Sequence, residues 1–127
     1  MIKQQLSVIV INDRVSVWPE KMVEFIQNQD DINLIGVAGS VSQIQELASS
    51  KQVDIVIFAG YQKNEENYET VKNLTSNNNK PIVVMWAIPD EHIAFTCKEH
   101  EIRFQFDRQR PDEEFIDYLR TIARDYL

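Results

Sequence analysis

The residues of this chain that could do chemistry lie at the ends of apolar runs. Asn12 and Asp13 follow the run Leu6–Ile11, and the run in "VDIVIFAG" ends at Ala59. If these runs are parallel strands, they end at the carboxyl edge of one sheet, where open α/β sheets bind their ligands. Asp13 offers a carboxylate at that edge. The methyl group of Ala59 offers no nucleophile and no metal ligand.

Two histidines and the single cysteine lie close together in the sequence, at His92, Cys97 and His100. Their spacing matches no standard set of metal ligands, so we expect no metal site there. We expect both histidines on the solvent side of a helix and Cys97 as a small core or boundary residue. A lone cysteine excludes an intrachain disulfide and fits a reducing cytoplasm.

The three glycines of the chain exclude the phosphate-binding loops of nucleotide-binding domains. Gly36, Gly39 and Gly60 form neither G-x-G-x-x-G nor G-x-x-x-x-G-K-[ST]. The loop after the first apolar run, "NDRVSVWPE", is bulky and contains acids, where a flavin or nucleotide phosphate needs small residues. We therefore expect no cofactor.

The length and the net charge of the chain limit the number of domains and the kinds of partner that we expect. Its 127 residues are enough for one domain with its own core, which we place at 1–127. The net charge of −7 argues against binding nucleic acid or an anionic membrane, because both need clustered lysine and arginine. The first apolar run, about six residues long, is too short for a signal peptide or a membrane span. We expect a cytoplasmic domain.

Five apolar runs alternate with five amphipathic segments. The first, third and fourth runs are almost continuously apolar, which is typical of central parallel strands covered on both faces. In the fifth, apolar and polar residues alternate, which indicates a half-exposed edge. The predicted strands are Leu6–Ile11, Ile32–Ala38, Ile55–Phe58, Ile82–Trp86 and Arg103–Phe106.

The amphipathic segments are predicted helices. They begin near Pro19, at Ser40 or Ser42, near Glu65, near Asp90 and at Pro111. Acidic residues follow Pro111, where a helix dipole favours negative charge. Alternating strands and helices with right-handed crossovers predict an α/β fold, with a five-stranded parallel sheet and five helices on its two faces.

The chain resembles the receiver domains of response regulators, in particular those of NarL/LuxR-type regulators. "VIVINDR" resembles the family's first strand and acidic pair, and "DINLIGVAGSVSQIQELASSKQVDIVIFAG" follows its next three elements. The spacing from Ala59 through Trp86 to Arg108 and "PDEEF" also agrees, so the resemblance covers essentially the whole chain. It implies a CheY-like (flavodoxin-like) sheet of order 2-1-3-4-5 and a role in two-component signal transduction.

In that family a phosphoryl group passes from a histidine kinase to an aspartate at the end of strand 3. Mg²⁺, held by this aspartate and the acids after strand 1, neutralises the phosphoryl oxygens. By resemblance, Ala59 occupies the phosphoacceptor position and Asn12 that of the first acid, which leaves Asp13.

The remaining positions of the family's site also differ. Trp86 lies where the family has a small hydroxyl, Arg108 where it has a lysine, and Gln105 where an aromatic residue reports the switch. The resemblance therefore implies a degenerate receiver with no catalytic residue and no metal. Either Trp86 packs at the end of its strand, or it fills the phosphate pocket.

No other carboxylate replaces the missing one. Asp54 lies five residues before Ala59, at the opposite end of strand 3. Asp107 would reach inward only if strand 5 slipped by one residue, which would expose Phe104 and Phe106. Arg108 either reaches toward Asp13 and closes the site with an internal ion pair, or remains a solvated surface charge.

These expectations favour a pseudo-receiver, a non-catalytic signalling and protein-interaction domain that acts without phosphorylation. By resemblance, helix 4, strand 5 and helix 5 form its dimerisation face, and Arg120 is a further candidate. That face would present Phe95, Lys98, Arg103, Gln105, Asp107 and Tyr118. The domain either stands alone or forms the amino-terminal part of a longer protein, by resemblance a LuxR-type transcriptional regulator or a pilus-assembly ATPase.

Two alternatives stay open. A small anionic ligand could bind in a remodelled carboxyl-edge pocket lined by Asp13, Trp86 and Arg108. Phosphorylation of Asp13 itself ranks last, because the groups that would assist it are absent.

Overall fold

The computed structural model describes residues 5–13, 19–49, 52–74 and 80–127. Strands and helices alternate along these ranges. The strands are β1 (Leu6–Ile11), β2 (Ile32–Ala38), β3 (Ile55–Ala59), β4 (Ile82–Ala87) and β5 (Phe104–Asp107). The helices are α1 (Glu20–Gln27), α2 (Val41–Ser49), α3 (Glu66–Lys72), α4 (Glu91–Glu99) and α5 (Asp112–Tyr126).

The five strands form one parallel sheet of order β2-β1-β3-β4-β5. Alternate residues of β1 face opposite sides: Val8 and Val10 join the core under α1 and α5, whereas Ile9 and Ile11 join the core under α2, α3 and α4. Period-two alternation of this kind buries both faces of a central strand. The predicted α/β fold is confirmed.

The helix starts follow the capping residues in the sequence. The Ser40 hydroxyl accepts a hydrogen bond from the Gln43 backbone N–H (3.3 Å), so Ser40 rather than Ser42 caps α2. The Asp90 carboxylate accepts the Ile93 N–H (2.7 Å) and caps α4. Acidic residues fill the first turn of α5 as expected. No helix within the described ranges has the length and apolar character needed to span a membrane.

Three strands differ from their predicted bounds by one residue. β3 extends to Ala59, β4 extends to Ala87, and β5 covers Phe104–Asp107 instead of Arg103–Phe106. Pairing explains these differences, because Ala59 lies beside Trp86 and Ala87 beside Asp107 in the ladder. Backbone pairing continues past the apolar residues that define a run in the sequence.

Candidate functional site

Ala59 ends β3 at the carboxyl edge and is fully buried. Its neighbour in the ladder is Trp86, and both belong to the core under α1 and α5. The next residue, Gly60, takes a φ of +85° and donates its N–H to the Trp86 carbonyl oxygen (2.8 Å). The backbone thus turns directly after a methyl group that offers no ligand and no nucleophile.

The Asp13 carboxylate binds the loop between β3 and α3. It accepts the backbone N–H groups of Lys63 (2.9 Å) and Asn64 (2.6 Å). The Asn67 side-chain amide lies at 3.5 Å from the same carboxylate. Hydrogen bonds to a charged acceptor are among the stronger ones in proteins, so Asp13 ties the end of β1 to this loop.

Gln62 and Asn67 lie beneath Asp13 and are completely buried. The Gln62 amide donates to the carbonyl oxygens of Ile11 (3.2 Å) and Gly60 (3.1 Å), and its oxygen accepts from the Asn67 amide (3.2 Å). The Gln62 backbone N–H donates to the Tyr68 hydroxyl (2.8 Å). We call Asp13, Gln62, Asn67 and Tyr68 the Asp13 cluster.

Sequence reasoning missed Gln62 and Asn67 as members of this site. Both lie in a polar segment, "YQKNEENYE", whose composition is typical of an exposed loop. The one signal in this segment was Tyr68, whose spacing fits the buried face of α3. Such spacing predicts a helix face and does not indicate a polar network.

Burial raises the pKa of the Tyr68 hydroxyl, and the hydrogen bond from Gln62 opposes this effect. The hydroxyl therefore stays protonated throughout the neutral range, and its oxygen remains an acceptor for the Gln62 N–H.

Trp86 packs in the core under α1 and α5, with only 7% of its surface exposed. Its ring lies 6.4 Å from the Phe115 ring, centroid to centroid. Within the described part of the chain, the buried indole Nε1 has no hydrogen-bond partner. A buried unpaired N–H is costly, so the packing of the ring must outweigh that cost.

Arg108 is half-buried and lines a shallow hollow of about 160 Å³, together with Tyr61, Asp90 and His92. Of the two alternatives, the ion pair with Asp13 is wrong: the Asp13 oxygens accept N–H groups of the β3–α3 loop instead. In the described ranges no carboxylate lies within ion-pair distance of Arg108.

The residues at this edge do not fit the Mg²⁺ that receiver chemistry uses. Mg²⁺ needs several hard oxygen ligands in octahedral geometry. Asn12 and Ala59 supply no negative charge, and the one remaining carboxylate, Asp13, is directed at backbone N–H groups. Across the part of the chain that the structure describes, no group of three His, Cys, Asp or Glu could hold a metal ion.

The two other carboxylates considered lie elsewhere. Asp54 accepts the Ser7 backbone N–H (2.8 Å) at the amino end of the sheet, as expected. Asp107 accepts the Gln109 N–H (2.9 Å) in the turn after β5. β5 does not slip, since Phe106 pairs with Trp86 and stays buried.

The α4 segment corrects one expectation. His92 is exposed as expected, with its ring 4.3 Å from that of Tyr61. The expectation of a solvent-facing His100 is wrong: its ring stacks on Tyr68 at 4.2 Å, and only 10% of its side chain is exposed. A flat ring gains more by stacking there than by hydration. Cys97 is buried, and burial raises the pKa of its thiol to about 11.

The predicted interaction face includes exposed and half-buried side chains. Phe95 on α4 has 65% of its surface exposed. Arg103 lies over the rings of Phe104 (5.6 Å) and Tyr126 (5.8 Å). Lys98 and Gln105 are exposed, whereas Asp107 and Tyr118 are half-buried. Burial raises the pKa of the Tyr118 hydroxyl.

Arg120 does not belong to that face. Its guanidinium binds both carboxylate oxygens of Asp31 (2.8 and 2.9 Å) and the Gln29 side-chain oxygen (2.8 Å). It therefore joins α5 to the segment between α1 and β2, and its inclusion in the interaction face was wrong.

Comparison with known proteins identifies the fold. No family model and no curated protein matches the sequence. A chain from the crystal structure of the P1 domain of CheA3 in complex with CheY6 from R. sphaeroides superposes with a TM-score of 0.73 and 13% identity, covering 95% of this chain and 98% of that chain. The signal receiver domain of an HD domain-containing protein from Pseudomonas fluorescens Pf-5 superposes with a TM-score of 0.71 and 17% identity, covering 95% and 96%. At such identities the likeness establishes the fold, and this chain has the CheY-like fold of receiver domains.

Proposed function

We propose that this chain is a pseudo-receiver, a domain that signals by protein interaction and accepts no phosphoryl group. The observation that carries the proposal is Ala59, fully buried at the end of β3, the position that corresponds by resemblance to the family's phosphoacceptor. Phosphoryl transfer to a protein needs an oxygen, nitrogen or sulfur nucleophile, and a methyl group is none of these. On this proposal the domain is not an enzyme and needs no cofactor.

The geometry of Asp13 supports the proposal and weighs against Asp13 as a substitute acceptor. Both of its oxygens accept backbone N–H groups, from Lys63 and Asn64. Such bonds stabilise the charged carboxylate and withdraw electron density from it. Attack on phosphorus would also need a metal ion to neutralise the phosphoryl oxygens, and Asn12 and Ala59 provide no charge to hold one.

The positions at the ends of β4 and β5 give the proposal further support. The Trp86 indole lies beside Ala59 and fills volume that a small hydroxyl would leave free. Arg108 keeps the positive charge of the family's lysine but has a different shape and hydrogen-bonding geometry. Asn12, Asp13, Ala59, Trp86 and Arg108 are thus the degenerate site of the proposal, with Gln105 at the switch position.

The proposed partner is a protein, first of all a second copy of this chain. Phe95, Lys98, Arg103, Gln105, Asp107 and Tyr118 form the proposed contact face on α4, β5 and α5. This face combines an exposed aromatic side chain with charges of both signs, as modest self-complementary interfaces do. The domain would work in the cytoplasm, either alone or as the amino-terminal part of a NarL/LuxR-type transcriptional regulator or of a pilus-assembly ATPase.

The ligand-pocket alternative gains no support. Asp13 binds the β3–α3 loop, Trp86 lies in the core, and neither is among the described residues that line the hollow beside Arg108.

Phosphotransfer tests the proposal directly. The purified chain is incubated with radiolabelled acetyl phosphate and Mg²⁺, and a phosphorylatable receiver is labelled in parallel to show that the donor is active. We expect label on the control alone. Acid-stable, base-labile label on this chain would overturn the proposal, and its loss in Asp13→Ala would identify Asp13 as the acceptor.

Fluorescence gives an independent reading of the same edge. Trp86 lies in the β3–β4 ladder beside Ala59, whereas Trp18 lies outside the described residues. We expect no saturable change in emission when Mg²⁺ and then beryllofluoride are added. A saturable change that is lost in Asp13→Ala would contradict the proposal.

Sedimentation at several concentrations tests the interaction face. We expect a concentration-dependent dimer that Phe95→Ser weakens about tenfold, since exposed aromatic anchors dominate such interfaces. Leu127→Ser is the matched control, because Leu127 is 60% exposed at the far end of α5. A monomer at all concentrations, or equal weakening by both variants, would contradict this face.

A further inference from the structure

A cavity of about 170 Å³ lies away from the carboxyl edge, between α3 and α4 beside the start of β4. Most of its lining is apolar and comes from three layers of the fold. The strands contribute Phe58 and Val83, α3 contributes Tyr68 and Val71, and the segment after α4 contributes Ile102. A closed apolar cavity of about 150 Å³ holds one benzene ring. This cavity has a similar volume, is open to solvent on one side and is also lined by polar residues, so it has room for a single ring that carries a polar group.

Aromatic rings form one wall of the cavity. Tyr68 lies between Phe58, at 4.7 Å and tilted by 55°, and His100, at 4.2 Å and nearly parallel. All three rings line the cavity, and Tyr68 contacts each of the other two, so the wall presents ring surface to the cavity. Such a wall favours a planar apolar ligand over a flexible one.

Positive charge gathers at the rim. Lys72 and Lys80 both line the cavity, in a chain whose net charge is −7. Lys72 lies 3.9 Å from Glu101, but both side chains are largely exposed, and pairs of that kind contribute little. Within the described ranges Lys80 has no ion pair. Two lysines are therefore available to an incoming anion.

We propose that this cavity binds a small carboxylate with a planar apolar body, of the size of benzoate. The ring lies against the wall formed by Phe58, Tyr68 and His100, and the carboxylate lies between Lys72 and Lys80. Glu101 is displaced from Lys72 by the ligand, which replaces one exposed ion pair by a better-enclosed one. This inference goes beyond the proposed function and holds whether or not the chain is phosphorylated.

Tyr68 connects the cavity to the Asp13 cluster. Its ring lines the cavity, and its hydroxyl accepts the Gln62 N–H. Gln62 in turn contacts the end of β1 through the Ile11 carbonyl oxygen (3.2 Å). A ligand that moves the Tyr68 ring is therefore expected to shift the Gln62 amide signal at the carboxyl edge.

An NMR titration of the ¹⁵N-labelled chain tests the site, with benzoate as the probe. We expect saturable shifts of the Val71, Val83 and Ile102 amides. Benzyl alcohol has the same ring without the charge, and we expect it to bind about tenfold more weakly, the effect of losing one favourable charge contact.

Variants of exposed lysines make the test specific without risk to folding. The double variant Lys72→Gln/Lys80→Gln is expected to weaken benzoate binding about tenfold and to leave benzyl alcohol unaffected. Lys98→Gln is the matched control, because Lys98 is exposed on α4 and does not line the cavity. No saturable shift at these amides, or equal binding of both probes by all variants, would overturn the proposal.

Discussion

The two halves of the carboxyl edge are stabilised by different kinds of interaction. At the end of β1, the Asp13 cluster is polar, and its buried amides bind one another and the backbone. At the ends of β4 and β5, Trp86 and Phe106 pack against Phe115. Hydrogen bonds hold the first half, and apolar contact holds the second.

This difference follows from what each half encloses. The exposed backbone N–H groups of Lys63 and Asn64 would have only water as an acceptor if Asp13 were absent, so a charged carboxylate is useful there. No such donors surround Trp86, whose own Nε1 is unpaired, and there the volume of the ring matters. One edge can therefore be closed both by satisfying donors and by filling space.

The apolar half should be the more sensitive to truncation. Trp86→Ala is expected to lower the free energy of unfolding by about 4 kcal/mol, because it removes a buried ring and leaves a cavity. Urea unfolding followed by circular dichroism measures this. Trp86→Phe keeps most of the volume and removes the unpaired N–H, so it should cost about 1 kcal/mol. A loss below about 1 kcal/mol for Trp86→Ala would show that the ring is not packed as described.

The polar half should respond to loss of charge. Asp13→Ala is expected to cost about 2 kcal/mol, because the Lys63 and Asn64 N–H groups lose a charged acceptor. Asp54→Ala is the matched control at the amino edge, where one N–H, from Ser7, is affected, and it should cost about 1 kcal/mol. Equal losses at the two positions would contradict the special role of Asp13.

A double-mutant cycle sharpens the account of the polar half. Gln62→Ala and Asn67→Ala each break the bond between the two buried side chains (3.2 Å). We expect a coupling energy of about 1 kcal/mol from the unfolding curves of the two single variants and the double variant. Additive losses would mean that the two amides act independently.

The smallest effect is expected at Arg108, which stands between the two halves. Arg108→Gln should change the free energy of unfolding by less than about 0.5 kcal/mol, because no ion pair is broken. The same urea titrations measure it. A loss above 1 kcal/mol that disappears in the Asp13→Ala background would mean that the two side chains pair in solution.

Most of the fold was predictable from the sequence, for reasons that particular elements show. β1 and β2 have the predicted bounds, because Gln5 and Asn12 flank the first apolar run and Asp31 and Gly39 flank the second. The sequence predicts that α2 begins at Ser40 or Ser42, since both residues are good caps. The hydrogen bond from the Gln43 N–H to the Ser40 hydroxyl identifies Ser40 as the cap. Strand ends were missed by one residue because the backbone pairs beyond the apolar pattern.

The site was less predictable. Ala59 at the end of β3 follows from the length of the run, but the partner of Asp13 does not. Charges of opposite sign at Asp13 and Arg108 suggested an ion pair, whereas backbone donors after β3 are closer and cannot be read from residue types. Gln62, Asn67 and His100 look like surface residues and are buried.

The sequence by itself determined the order of elements, the parallel sheet and the absence of an oxygen nucleophile at the end of β3. These depend on apolar periodicity and on one residue's identity, which are local properties. Only the tertiary structure decided that Asp13 binds the β3–α3 loop, that Trp86 lies in the core and that a cavity opens between α3 and α4. Those depend on which backbone groups and side chains meet across distant segments, and residue types carry no distances.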